Sequence, residues 1–160
     1  MGVTASFTEQ SLDNYFAQVM LIIQEEIVRT LSRLGEEAIS KVRDRSGEES
    51  WFDHSGNLRS SVGYAVVDHG RKQIESAFKQ VLDGTEGASK GRQLIDSLVS
   101  KYSSTYALIV VAGMDYAEKV EALDNKDVLA STELWAKSLI DSYMAKTIKT
   151  IESRIAKLSL

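Results

Sequence analysis

The chain contains no cysteine, which excludes disulfides, thiol nucleophiles and thiolate metal sites and removes any hint of an oxidising compartment. Its two histidines are the only soft ligands left. Proline is absent too, and that absence carries no functional reading. The longest apolar run, Ala107 to Gly113, falls far short of the roughly 20 residues that span a bilayer. Met1 to Gln10 lack both a basic leader and a long apolar run, so no signal peptide is expected. A formal charge of -4 and a pI near 5.3 mean that no basic excess exists to grip nucleic acid. The cations are dispersed: Arg43 and Arg45 flank Asp44, and Lys146 and Lys149 share a segment with Glu133, Asp141 and Glu152. The expectation is a soluble protein with no membrane association and no tight nucleic-acid binding.

What is present fits a single domain over residues 1–160. A chain of this length buries roughly 70% of its unfolded surface and forms a core without covalent staples. From about 9 to 43, apolar residues recur in steps of three or four at Leu12, Phe16, Val19, Ile23, Ile27, Leu31, Leu34, Ala38 and Val42, which predicts one long amphipathic helix. At 1.5 Å per residue such a helix extends for roughly 50 Å, more than its own core requires. Either Gly35 bends it or part of it reaches outward.

Trp51-Phe52-Asp53-His54-Ser55-Gly56-Asn57-Leu58-Arg59 joins an aromatic-rich turn to an alternating strand. Ser55 and Asn57 are able to bond their own backbone, Gly56 accepts positive φ, and Val62, Tyr64 and Val66 share one face of a strand over Leu58 to Val67. Asp68-His69-Gly70 has turn chemistry, and Arg71 to Leu82 reads either as the return strand of a hairpin or as a helix: Ile74, Phe78 and Val81 or Leu82 fit a helical stripe, and periodicity alone favours it. A shorter helix is expected over about 88–102 and a central strand, covered on both faces, over Thr105 to Ala112. Tyr116 to Ala122 reads as a helical turn, and Asp127 to Leu129 as a brief strand. Ser131 is the expected cap of a last helix, about 131–158, carrying Trp135, Leu139, Met144, Ile148, Ile151, Ile155 and Leu158. The fold class is α+β: a small antiparallel or mixed sheet with a hairpin, spanning about 57–113 and packed against long N- and C-terminal helices and one shorter helix.

Chemistry is sparse. Asp53-His54 and Asp68-His69 suggest a metal or general-base site, but neither pair has the spacing of a ligand motif, and exposed turn residues are the simpler reading. A triad of Ser55, His69 and Asp68 has no nucleophile elbow to support it. Gly84, Gly87, Lys90 and Gly91 precede or open a helix without the P-loop spacing, so a flexible loop is expected. Trp51, Phe52, Tyr64 and Tyr106 lack the positive groove that base stacking needs, and burial in a core or interface is expected of them. No catalytic, metal or cofactor residues are assigned.

The order of the turn motif, the hairpin, the apolar strand Tyr106 to Ala112 and the segment Tyr116-Ala117 to Val120-Glu121 resembles the small tail-completion or head-tail joining proteins of long-tailed bacteriophages and prophages. The resemblance covers about residues 51–130 and implies the hairpin, not the helix, over Arg71 to Leu82. It departs from that pattern at Ser55, where the family often has Thr, and at Ala122-Leu123, which replace a common glycine. It implies a non-enzymatic virion protein that forms rings at the capsid–tail junction or completes the tail tube, made in the bacterial cytoplasm. Its implied partners are connector, tail-tube or tail-terminator proteins and further copies of itself, through head-to-tail contacts. Trp51, Phe52, Asp53, Gly56, Leu58, Arg59, Tyr116 and Glu121 are the motif and interface candidates, with Leu58 anchored in the core and Arg59 free at the surface. The rival readings are a small nucleic-acid-processing or metal-dependent enzyme of a mobile element, and a helical interaction module.

Overall fold

In the computed structural model, residues 7–45, 53–118 and 128–159 are described. Helix α1 (Glu9–Arg43) begins at a capping box in which Thr8 and Ser11 satisfy each other's main-chain N–H groups. It runs without interruption through Gly35, so no break occurs there. Gly35 serves a packing purpose instead: a Cβ at that position would lie 2.5 Å from the Tyr64 ring, so glycine lets the helix lie directly on the sheet. The C-terminal half of the predicted stripe is buried at Leu31, Leu34, Ala38 and Val42, whereas Phe16, Met20 and Leu21 in the first half are more than half exposed. Of the two alternatives for this long helix, interruption at Gly35 does not occur, and the first half is only partly covered, with Ile22 buried and Phe16 exposed.

One helical turn, α2 (Asn57–Ser60), precedes strand β1 (Val62–Asp68), so the expected strand over Leu58 to Val67 begins four residues later than the alternation suggested. Val62, Tyr64 and Val66 do share a face, which packs on α1; Ala65 and Val67 face the other way, toward Phe78 and Ile95. His69 and Gly70, with φ of 46° and 77°, make the two-residue hairpin turn whose positive φ values match strand twist. Strand β2 (Arg71–Glu75) is five residues long and does not reach Leu82. Ser76 ends it by giving its N–H to the Tyr64 carbonyl and its hydroxyl oxygen to the Tyr64 N–H. Ile74 packs on one side of the sheet and Phe78, beyond the strand, on the other, so the helical spacing of these residues does not mark a shared face.

Helix α3 (Thr85–Val99), extended by a short 3-10 turn (Ser100–Tyr102), covers the second face of the sheet. Strand β3 (Tyr106–Ala112) pairs antiparallel with β1, giving the order β2-β1-β3. The expectation of a central β3 is therefore corrected: β1 is central and β3 lies at an edge. Its side chains are covered on both faces as expected, because α1 and α3 lie on opposite faces of β1 and β3, and a continuous apolar run reports face coverage rather than the number of neighbouring strands.

Ala117 N–H bonds the Met114 carbonyl in a turn, and of the expected segment Tyr116 to Ala122 residues 119–122 lie outside the described residues. Val128 and Leu129 form a bend, not a strand. The last helix, α4 (Ala130–Ile155), has Leu129 at its cap position with no side-chain cap, so Ser131 does not cap it. The Ser131 and Thr132 hydroxyls instead accept from Arg45 at 2.6 Å each.

Candidate functional site

The turn motif builds a tight junction between four elements. Asp53 accepts the Arg59 N–H at 2.7 Å, satisfying one of the free donors of α2, and the Ser55 hydroxyl accepts the Asn57 N–H at 3.3 Å. Gly56 adopts the left-handed conformation expected of it, packed against the Val81 carbonyl with no room for a Cβ. The Asn57 side chain does not bond its own turn: its oxygen accepts the Gly87 N–H at 3.1 Å and so caps the start of α3. Leu58 is 1% exposed and belongs to the cluster that joins α1 to the sheet.

Arg59 departs from expectation. Its guanidinium donates to the main-chain carbonyl of Arg43 and, at 2.9 Å, to that of Arg45, at the end of α1 where carbonyls lack helical partners. It is thus a half-buried clamp, not a free surface charge. Arg43 in turn donates to the Val62 carbonyl, its Nε has no hydrogen-bond partner among the described residues, and burial pushes its pKa down. Together these arginines fasten the end of α1 to the start of β1.

Gly84, Gly87 and Gly91 complete the junction. They sit at the start and along one face of α3, pressed on the carbonyls of Gly56, Asn57 and Ser61 and on Phe78, and a Cβ at any of them would collide. The expected flexible loop is a close-packed helix face, visible in hindsight from glycine spacing of three and four residues. Tyr116 lies beside the turn, hydrogen-bonded to Ser55, and its pKa is raised chiefly by burial and then by the Asp53 charge. Asp53, Gly56, Leu58, Arg59 and Tyr116 therefore converge. Trp51, Phe52 and Glu121 lie outside the described residues.

The two Asp-His pairs do not converge. His54 precedes β1, while His69 follows it, separated by a seven-residue strand that extends for roughly 23 Å. His69 Nδ1 bonds Asp68 at 2.5 Å and Gln24 donates to the same carboxylate, so the pair fastens the hairpin to α1. Among the described residues, no group of three or more metal-ligating side chains occurs. Tyr64 is a core residue, its hydroxyl bonded to Ser32 and Glu36, and burial raises its pKa.

A second surface is formed by the two long helices. Beside the apolar packing of Ile140 on the core cluster, a polar seam joins them: Thr30 meets Thr147 at 2.5 Å, Tyr143 donates to Glu37 at 2.7 Å, and Arg154 reaches Glu26 at 2.7 Å and Glu25 at 2.8 Å. Periodicity gave no sign of this seam, because its charges read as solvated. The apolar stripe expected of α4 is only partly used, leaving Leu134 and Ile148 more than half exposed. On α1, the free end presents Phe16 and Met20 at 60% and 62% exposure. No helix among the described residues is long and apolar enough to cross a membrane.

No family model matches the chain, and no curated protein or solved structure matches it significantly.

Proposed function

We propose that this chain is a non-enzymatic structural protein of a phage or prophage particle, a head-tail connector or tail-completion component that forms a ring through subunit contacts. The observation that carries a role in protein contacts is the free end of α1, an unbroken helix whose leading turns hold Phe16, Met20 and Leu21 in solvent. Large apolar side chains aligned on a projecting helix have little use in an isolated subunit and supply anchors for an interface. The turn motif supports the same reading as scaffold: its side chains are spent on holding α1, α2, α3 and β1 together. The phage assignment itself rests on the sequence resemblance. In this reading the partners are connector, tail-tube or tail-terminator proteins and copies of the chain, and an acidic subunit would let DNA pass without adhering.

Complementation of an assembly-defective prophage tests the proposal. Replacing Phe16 and Met20 by Ser should leave the melting curve of the isolated protein unchanged and yield unjoined heads and tails. Normal infectious particles from the double variant would remove the arm from the assembly, and failure of the unaltered chain to be incorporated into any particle would remove the phage role.

A further inference from the structure

The two edges of the sheet differ in how they meet solvent. Strand β2 is five residues long, is charged at Arg71, Lys72 and Glu75, and faces a bulge between Val66 and Val67. Lys72 is tied to Asp96 and Glu75, and Arg92 approaches Glu75 at 3.5 Å. Short length, charge and a bulge are the means by which proteins protect an edge from further pairing. Strand β3 has none of them: Tyr106-Ala107-Leu108-Ile109-Val110-Val111-Ala112 is seven residues without a charge.

Among the described residues, no strand pairs with its outer edge. His69 donates to the Thr105 carbonyl and Gly113 to that of Ser61, which sets the alternation of the β1–β3 ladder so that Ala107, Ile109 and Val111 point their main-chain groups at β1. The N–H and C=O of Leu108 and Val110 therefore point away from it, and they have no main-chain partner among the described residues. Beside this edge lies a cleft of about 540 Å³ lined by Leu31, Leu34, Leu108, Val110, Ala136 and Ile140 among others. Its charged lining groups are Glu133 and Lys137, which neutralise each other at 2.5 Å.

We infer that the β3 edge and this cleft form a docking site for an extended, uncharged apolar segment of a partner protein, which adds to the sheet as a fourth strand. The unpaired main-chain groups call for an extended backbone, and the apolar, charge-balanced walls call for side chains without net charge. The start of α4, with Ala136 and Ile140, lines the cleft together with β3, so a segment that pairs with β3 also meets apolar side chains of α4. The volume lies within the roughly 300–1,000 Å³ of ordinary ligand pockets. This inference rests on the proposed protein-contact role only in taking the occupant to be polypeptide. Its test requires no phage particle, so its failure is distinguishable from failure of complementation.

The probe is a synthetic peptide of the Tyr106–Ala112 sequence flanked by lysines for solubility, titrated into the full chain and followed by amide NMR and fluorescence anisotropy. Saturable one-to-one binding is expected, with the Leu108 and Val110 amides shifted and their hydrogen exchange slowed. Val110→Pro removes an outward donor that bonds nothing in the ladder, and Ala136→Trp fills the cleft. Each should weaken binding by about tenfold or more with the melting curve retained. If Val110→Pro does not fold, Ala136→Trp and a peptide N-methylated along one edge carry the comparison. The site is refuted by absence of saturable binding up to about 1 mM, by binding that survives the filled cleft and the N-methylated peptide, or by Leu108 and Val110 amides already protected in the free protein.

Discussion

Helix α1 makes two long contacts of opposite character. Toward the sheet it offers Leu31, Leu34, Ala38 and Val42 and receives the Tyr64 ring over Gly35, a close-packed apolar surface. Toward α4 it offers Glu25, Glu26, Thr30 and Glu37, and every hydrogen bond it receives there comes from a hydroxyl or a guanidinium. Apolar burial is non-directional, whereas ion pairs and hydroxyl bonds depend on geometry and pH, and those of the seam range from the exposed Glu25 to the buried Glu26 and Thr147. The sheet side is therefore the permanent core. The α4 side is a layer whose attachment responds to solution conditions while its own apolar residues remain available elsewhere.

The largest effect that separates the two sides is expected on the core side. Leu58→Ala should cost about 2 to 5 kcal/mol in urea denaturation, because Leu58 is fully enclosed between α1 and the sheet. Arg59→Ala should cost about 1 to 3 kcal/mol, since it strands the carbonyls that end α1. An Arg59→Ala variant indistinguishable from the parent would return that residue to the surface role expected from the sequence.

On the α4 side the effects are smaller and coupled. The Thr147 hydroxyl donates to the Tyr143 carbonyl at 2.9 Å, so Thr30 is the donor in the shared bond; Thr147→Val, which strands Thr30, should cost about 1 kcal/mol, Thr30→Val less, and the double variant no more than Thr147→Val alone. Strict additivity in that cycle would mean that the hydroxyls do not share a bond.

The smallest effect is a pH dependence. Glu37 is held below its ordinary value of 4.5, first by the Tyr143 hydroxyl and then by Arg33, against an opposing effect of burial. A depressed carboxylate contributes stability that is fully present above its unfolded pKa and is lost as pH falls through the folded one. The α4 contact should thus loosen on the acid side of 4.5, by less than about 1 kcal/mol given the partial exposure of Glu37. Trp135, beside Lys41 of α1, provides the fluorescence reporter in a Trp51→Phe background. A transition centred above that value, or one unchanged in Glu37→Gln, would sever the link to this carboxylate.

The sequence made the core side legible and the seam illegible for the same reason. Stripes at Leu31, Leu34, Ala38 and Val42 or at Val62, Tyr64 and Val66 are periodic because burial selects one face, so the long helices, the first strand and the fold class followed from spacing, whereas over 71–82 spacing favoured a helix and only the family resemblance pointed to the hairpin. Thr147 and Arg154 carry no such mark, since a polar residue reads alike whether it meets water or Thr30 and Glu26. The apolar stripe of α4 was accordingly assigned to the core although Ile148 lies outside it. Strand β3 misled in another way: its apolar run correctly predicted two covered faces and was taken as central position, which only pairing determines. At the motif, Gly56 and Leu58 were legible from turn chemistry and alternation, whereas the grip of Arg59 on α1 joins segments 14 and 16 residues apart and has no local signal.

The seam also fixes an order of events during synthesis. Thr30 and Thr147 are separated by 117 residues, and the sheet that covers α1 is complete only with β3, roughly 70 residues after α1 ends. At about 5 to 20 residues per second, a ribosome takes roughly 4 to 14 seconds over that interval. During it the stripe of α1 has at most β1 and β2 to cover it, and what they leave bare is a surface on which a chaperone or a neighbouring nascent copy has first claim.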